Sequence, residues 1–402
     1  MAGARIASAF EKVKYELPVF CVMLALAVPQ ITDFSSQAYS TLLALDYRVG
    51  FAPRIFMGSL LSLFTDFRGR REINIFYVVM FLLTFLLVAW LAGRLIRSAE
   101  AEMKNTMIAL VALFLALPYT AAFLYPQAYP PDRFLVLFSI LGLLVLGKPY
   151  CRWLLPLFLF AALATHHMFL FAYMPVFVVL LLYTLFRDGP RVKNILFCLV
   201  NIVAAALLSA YFYLFNGLKG ISLEQLYAFA QARTDLPVDT SDTSIFKGYF
   251  FLKPSMVFEY NTELGPGVQN ILDNELTAAV FLLPILVFFI FLWLGAMKKS
   301  GSRLERAVFL LCLLSPLARI PLFFVNTEVF RGRMAVLLVQ FFLLFYLIYD
   351  KNAAVKAALE KITALLKNKP LPALLAVGYY AAAFSTYTFS DKWTEFFTRL
   401  FR

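Results

Sequence analysis

A few ionisable residues stand apart from the apolar runs that make up most of this chain. They are of the types that move protons and hold anions. Asp33 closes the first apolar run, and Asp46, Arg48 and Arg54 follow in the string LDYRVGFAPRIFMGS. Asp132 and Arg133 stand in YPPDRF, His166 and His167 are adjacent, and Arg319 lies inside a later apolar run. Glu328, Arg331 and Arg333 follow Arg319 in a short polar turn. A carboxylate or an imidazole in such a set can take the proton of a hydroxyl nucleophile. Arginine offers phosphate oxygens a planar, bidentate partner.

Each group also has a plainer reading. Asp33 can mark where a helix leaves the bilayer, Asp46 and Arg48 can form an exposed ion pair worth little, and Asp132 can start a helix behind Pro130 and Pro131. One of the two histidines can be structural, bonded to a carbonyl. Arg319 has the weakest plain reading, because an arginine inside an apolar span is costly unless it pairs or reaches water. Asp46 is the first choice as proton acceptor. It lies beyond the helix end, and Arg48 and Arg54 would keep it ionised. Asp33, His166 and His167 are the other candidates.

The elements that must position these groups are membrane helices. The chain has 402 residues, 62% of them hydrophobic and 15% charged, with a mean hydropathy of +0.79. Soluble domains average about 45–50% apolar and about 25% charged, so a water-soluble enzyme is excluded. Forty-four Phe and 20 Tyr suit a lipid-facing bundle with aromatic belts. The net charge of +12 does not point to nucleic acid, because Lys and Arg sit mostly in the short gaps between apolar runs. Cys21, Cys151, Cys198 and Cys312 lie in or beside apolar runs and form no CxxC, which leaves no disulfide or metal framework to expect. No cofactor is implied, and nothing in the sequence calls for a divalent metal.

Eleven spans are expected, at roughly 17–32, 73–93, 106–125, 134–147, 153–166, 168–186, 194–215, 276–297, 307–325, 334–349 and 371–388. Residues 153–186 carry no loop and read as two short helices meeting at His166-His167, or else as one long tilted helix. The expected fold is therefore all-α: residues 1–402 as a single integral membrane domain, a polytopic bundle in the cell membrane with a cytoplasmic N-terminus set by the basic inner loops. Arg68, Arg70 and Arg71 on the outer side violate that rule. Two outer loops exceed simple connectors, at 33–72 and 216–275. Within the first, 53–66 reads as a membrane-parallel amphipathic helix, with Arg54, Gly58, Ser62 and Asp66 on one stripe. The second contains a helical piece from Ser222 to Arg233 and an aromatic stretch from Phe246 to Tyr260. A further amphipathic helix is expected on the inner side at 352–367. The polar groups named above then come from separate places on the chain and share one depth near the outer face.

An acidic residue after the first span, an outer loop with a membrane-parallel helix, further spans and one large later outer loop resemble the GT-C class of membrane glycosyltransferases. That class includes polymerases and ligases of bacterial surface polysaccharides. The string Asp46-Tyr47-Arg48-x-Gly50-Phe51-x-x-Arg54-x-x-x-Gly58 and the His-rich join before Pro175 add to the likeness. The resemblance implies a polyprenyl-phosphate-linked sugar or glycan donor, and a glycan or lipid acceptor that meets it at the outer face. It further implies one group that takes the acceptor's proton. Arg319, Arg331 and Arg333 would bind the donor's phosphates, with Arg48, Arg54 and Glu328 lining the same site. The class's paired acids directly after the first span are absent: Asp33 stands alone, and Asp46 lies thirteen residues on. The rival reading is a transporter or flippase, for which midplane ionisable groups and discontinuous helices are the marks.

Overall fold

The computed structural model describes residues 13–27, 38–117, 130–215, 218, 220–241, 244–251, 267–321, 329–368 and 370–388. Among these residues the chain is helical, with one isolated bridge between Gly50 and Leu218 and no strand. It forms two compact units. One comprises Met1–Thr32, Tyr77–Ala128 and Leu359–Arg402, and the other Asp33–Phe76 and Tyr129–Ala358.

The helices in chain order are α1 (Glu16–Ala27), α2 (Phe56–Leu61), α3 (Arg70–Ser98), α4 (Lys104–Ala116), α5 (Pro130–Leu146), α6 (Leu155–Thr165), α7 (Phe169–Ala172) and α8 (Met174–Asp188). They continue with α9 (Val192–Phe215), α10 (Leu223–Gln231), α11 (Ile245–Phe250), α12 (Gly267–Lys299), α13 (Arg303–Leu314), α14 (Val329–Tyr349), α15 (Ala353–Asn368) and α16 (Leu371–Thr388). Three stretches are long and apolar enough to cross a membrane: Arg70–Ser98, Val192–Phe212 and Phe281–Lys299. They show rows of exposed apolar side chains, such as Val79, Leu83 and Leu86 on α3 and Leu199, Val203 and Leu207 on α9. This is the exterior of a protein solvated by lipid.

Eleven spans were expected, and three stand as full-length apolar helices among the described residues. The expected 153–166 and 168–186 spans appear as the separate helices α6 and α8, and in the expected 307–325 span α13, at 12 residues, gives way to a 3₁₀ segment and is too short to cross alone. At 154–188 the two-helix alternative is the one adopted, with α7 as a single turn between them. The amphipathic stretch expected over 53–66 is helical only over Phe56–Leu61. The expected inner helix is present as α15, bent 104° from α14.

In the first unit α4 packs on α16, and Thr106 donates to or accepts from Thr363 at 3.1 Å. Arg97 pairs with Glu16, whose carboxyl lies where a Cβ on Gly93 would stand. In the second unit, polar groups gather at one end of the bundle. Arg152 donates to Asp188 and Asn194, both at 3.0 Å, Arg187 to Asp350 at 2.6 Å, and Asn352 to Glu305 at 3.1 Å. Tyr183 adds a 2.6 Å bond to Asp350. These contacts tie together the starts of α6, α9 and α13 and the ends of α8 and α14.

From that end, α6 rises 11 residues and α13 12 residues, about 16–18 Å, before each breaks. The neighbouring α14 runs 21 residues, about 32 Å. Pro316 explains the break after α13. It has no N–H, so the carbonyl of Cys312 loses its helical donor. Ser315 Oγ and Gln340 Nε2 each donate to that carbonyl at 2.9 Å. Gln340, which is buried, also donates to Ser315 Oγ at 2.9 Å and accepts from Trp293 Nε1 at 2.6 Å. One side chain therefore joins α12, α13 and α14 at the break. Gln340→Leu keeps most of the volume and strands buried donors and acceptors. It should cost about 1–3 kcal/mol, read as a lowered unfolding midpoint of the full-length protein in detergent.

Candidate functional site

The described parts of the two long loops expected at 33–72 and 216–275 fold together as a cap in the second unit. Its core is Leu42, Leu45, Val49, Ile55, Leu226, Phe246 and Phe250, with Ala44, Ala52 and Ala230 filling the close contacts. Ser222 opens α10 with a reciprocal capping box to Gln225, as the expected helical piece requires. Gly58 lets α2 lie directly on the preceding 3₁₀ turn: a Cβ there would stand 2.0 Å from the Leu45 carbonyl oxygen. The stripe expected to face solvent thus includes a position pressed against backbone.

Asp46 is the centre of this cap. Its side chain is 3% exposed, and it receives Arg48 through Nε (2.9 and 3.1 Å) and a terminal nitrogen (2.6 Å). It also receives the Arg48 backbone N–H at 3.0 Å and the fully buried Arg68 at 2.8 Å. Arg68 donates again to the Ala44 carbonyl at 2.7 Å, and its own N–H donates to the Arg233 carbonyl at 2.7 Å. Burial raises the carboxyl's proton affinity, but the bonds from Arg48 and Arg68 outweigh it and hold Asp46 well below the usual carboxylate range. Both oxygens are engaged, which sets Asp46 as an anchor and makes it a poor acceptor for a substrate's proton. Arg48, 49% exposed, pairs also with Asp66 at 3.1 Å. Arg68, which sequence reasoning registered only as a breach of the charge rule, is the buried partner that closes the cap. No spacing signal announced it, because its partner lies 22 residues upstream.

The cap sits on the broken helices at His166. α6 ends because His166 turns extended (φ −162°, ψ 123°), and its Nδ1 accepts the Met168 N–H at 3.0 Å. A neutral His166 therefore carries its proton on Nε2. The Ala164 carbonyl, left over at the end of α6, accepts the Arg54 N–H at 2.9 Å. Arg54 makes that bond from a left-handed backbone, φ 74°, which is strained for a residue with a side chain. Phe51 stacks on Phe160 of α6 at 6.0 Å, and Phe56 meets the same ring edge-on. The His166 and His167 rings are 4.9 Å apart, His166 buried and His167 exposed. Arg319 closes the 3₁₀ segment Ser315–Arg319, which packs against α7 directly after the histidines.

Arg48 and Arg54 of the first loop, the two histidines and the Arg319 segment thus belong to the same unit, with the contacts just described between them. Asp132 and Arg133 are buried at the start of α5, where a helix start was expected. Asp33, Glu328 and the side chains of Arg331 and Arg333 lie outside the described residues. Among the described residues no three of His, Cys, Asp and Glu converge as a metal site would require. No family model, curated protein or solved structure matches the chain. Fold and site together define a helical protein with helices able to cross a membrane and a cap seated on the end of α6.

Removing one partner of a buried ion pair costs about 3–5 kcal/mol. Arg68→Met should therefore open the cap to protease, while Arg48→Met, half-exposed and screened, costs much less. The acid dependence has a definite sign. With Asp46 depressed in the folded state, its contribution is complete above the ordinary carboxylate pKa of about 4. It is lost as pH falls below that value, where the unfolded chain binds the proton first. Asp46→Asn should flatten that acid limb in a pH series of unfolding midpoints.

Proposed function

We propose that this protein is a membrane glycosyltransferase or glycan polymerase of GT-C-like type, taking a sugar or glycan from a polyprenyl-phosphate-linked donor to an acceptor at the outer face of the cell membrane. A polytopic bundle of about eleven spans, with the N-terminus cytoplasmic, belongs to this reading.

The observation that carries the reading is one-sidedness. The His166-His167 break has the cap bonded over it through Arg54 and Ala164. The opposite end of the same helices is closed by the pairs of Arg152 with Asp188 and Arg187 with Asp350. Histidines and arginines gathered at the cap end, with structural ion pairs at the other, suit a donor that arrives laterally in lipid and an acceptor that arrives from one face. His167, exposed and beside a histidine that presents an N–H, takes the acceptor hydroxyl's proton as the new glycosidic bond forms and the lipid phosphate leaves. Arg54 and Arg319 hold the departing phosphate, with Arg331 and Arg333 as further candidates.

A second reading is favoured by one feature. Two interrupted helices meeting roughly halfway along α14 are what a transporter or flippase uses to build a substrate site. The two readings separate on the closed end. In nanodiscs, His167→Gln should lower turnover of a polyprenyl-phosphate sugar by about 10²–10⁴-fold, with donor binding retained. Asp350→Asn should leave that turnover near wild type. Transport of substrate across a proteoliposome membrane that changes in Asp350→Asn and survives in His167→Gln would sink the transferase reading.

A further inference from the structure

One cation of the cap is not used by the pairs described above. Asp46 and Asp66 balance Arg48 and Arg68. Arg233 has no carboxylate partner among the described residues. Its guanidinium lies 3.6 Å from the centre of the Phe229 ring and donates to the Phe229 carbonyl at 3.1 Å, while Nε is buried without a hydrogen-bond partner. Arg48 lies over the same ring at 5.9 Å. Burial, and then the charge of Arg48, weaken Arg233's hold on its proton, and the nearby charges of Asp46 and Asp66 only partly offset them.

Beside this pair the chain exposes an apolar tip. Leu63 is 75% exposed, Phe64 79% and Phe67 50%. The tip is shaped by Thr65 Oγ1 donating to the Phe67 carbonyl at 2.7 Å, and it is held against the arginines by Arg48–Asp66 and by the Arg68 N–H on the Arg233 carbonyl. Its position identifies its surroundings. α3, one of the three helices able to cross a membrane, begins at Arg70, so residues 63–67 lie where that helix leaves the lipid. Arg70 and Arg71 add positive charge at the same level, opposed by Glu72 and Asp235, of which Asp235 accepts the Arg70 N–H at 2.8 Å.

The geometry points to a lipid-phosphate clamp at this edge of the cap: Leu63, Phe64 and Phe67 sit among acyl chains while Arg233, seconded by Arg48, binds the phosphate of a membrane phospholipid. Apolar surface beside arginine is the composition of an interfacial anchor, and stacking on Phe229 presets the guanidinium plane for phosphate oxygens. The clamp rests on Arg233 and the apolar tip, and neither the histidines, Arg54 nor Arg319 belongs to it.

Delipidated full-length protein in detergent tests the clamp by native mass spectrometry, titrated with phosphatidic acid and with diacylglycerol of the same chains, which lacks the phosphate. Wild type should retain phosphatidic acid over diacylglycerol. Arg233→Gln should cut that retention about tenfold, in line with loss of a charge-assisted hydrogen bond, with the cap still protease-resistant. Leu63→Ser/Phe64→Ser should lower both lipids. Equal phosphatidic acid retention in wild type and a folded Arg233→Gln overturns the clamp. So does displacement of the lipid by inorganic phosphate alone, which marks a site for the free anion. Should Arg233→Gln lose protease resistance, the serine double variant decides, because its exposed side chains carry little packing: phosphatidic acid retention unchanged there overturns the proposal.

Discussion

Asp46 is a buried carboxylate held by two arginines, and the cap of the second unit depends on that arrangement. A lone buried charge would cost several kcal/mol. With Arg48 folding back over two residues and Arg68 arriving from 22 residues on, the charge is matched and the lone pairs are filled. Arg68 in turn fastens Ala44 on one side and the Arg233 carbonyl on the other. Two loops far apart in sequence become one cap with its own apolar core. The same network accounts for one member of the Arg68, Arg70 and Arg71 cluster: Arg68 is spent inside the protein and is not a topology signal.

The second constraint comes from the membrane interior, where backbone groups released by a break must find partners within the protein. Each break here is closed by a different device. At Pro316 the Cys312 carbonyl is taken by Ser315 and Gln340. At His166 the ring captures the Met168 N–H, and the Ala164 carbonyl is reached by Arg54 from the cap. The strained backbone of Arg54 follows from that task, since its N–H must point down onto the end of α6 while its flanking aromatic residues pack on Phe160 and Phe138. Cap and broken helix thus stabilise one another.

Periodicity and composition made the lipid-solvated helices legible, because long apolar runs such as Arg70–Ser98 leave little choice. The start of α10 was legible from Ser222, and the helix start at Pro130 from its prolines. The breaks were harder. Residues 307–325 read as one span because a single Pro316 inside an apolar run is compatible with a kinked helix, and Gln340, whose side chain rewards the break, is distant in sequence. The short α2 was over-extended for a related reason. Its amphipathic stripe was real, but Gly58 served close backbone contact, not a solvent face. Long-range pairs such as Asp46–Arg68 leave no trace in local spacing.

The same physics separates anchors from reactive groups among the polar residues. A general base needs a free lone pair and a proton affinity near the working pH. Asp46 has neither, because the arginines that make its burial tolerable also occupy its oxygens and depress its affinity. Sequence reasoning took Arg48 and Arg54 as helpers that keep a base ionised, and in the folded cap it is Arg48 and Arg68 that hold the carboxylate and use it up. An imidazole escapes this conflict. It can be buried with one nitrogen accepting a backbone N–H, as at His166, while its neighbour His167 is exposed. Beside a cation-rich cap, where a carboxylate is drawn into ion pairs, histidine is the residue type whose chemistry suits proton transfer.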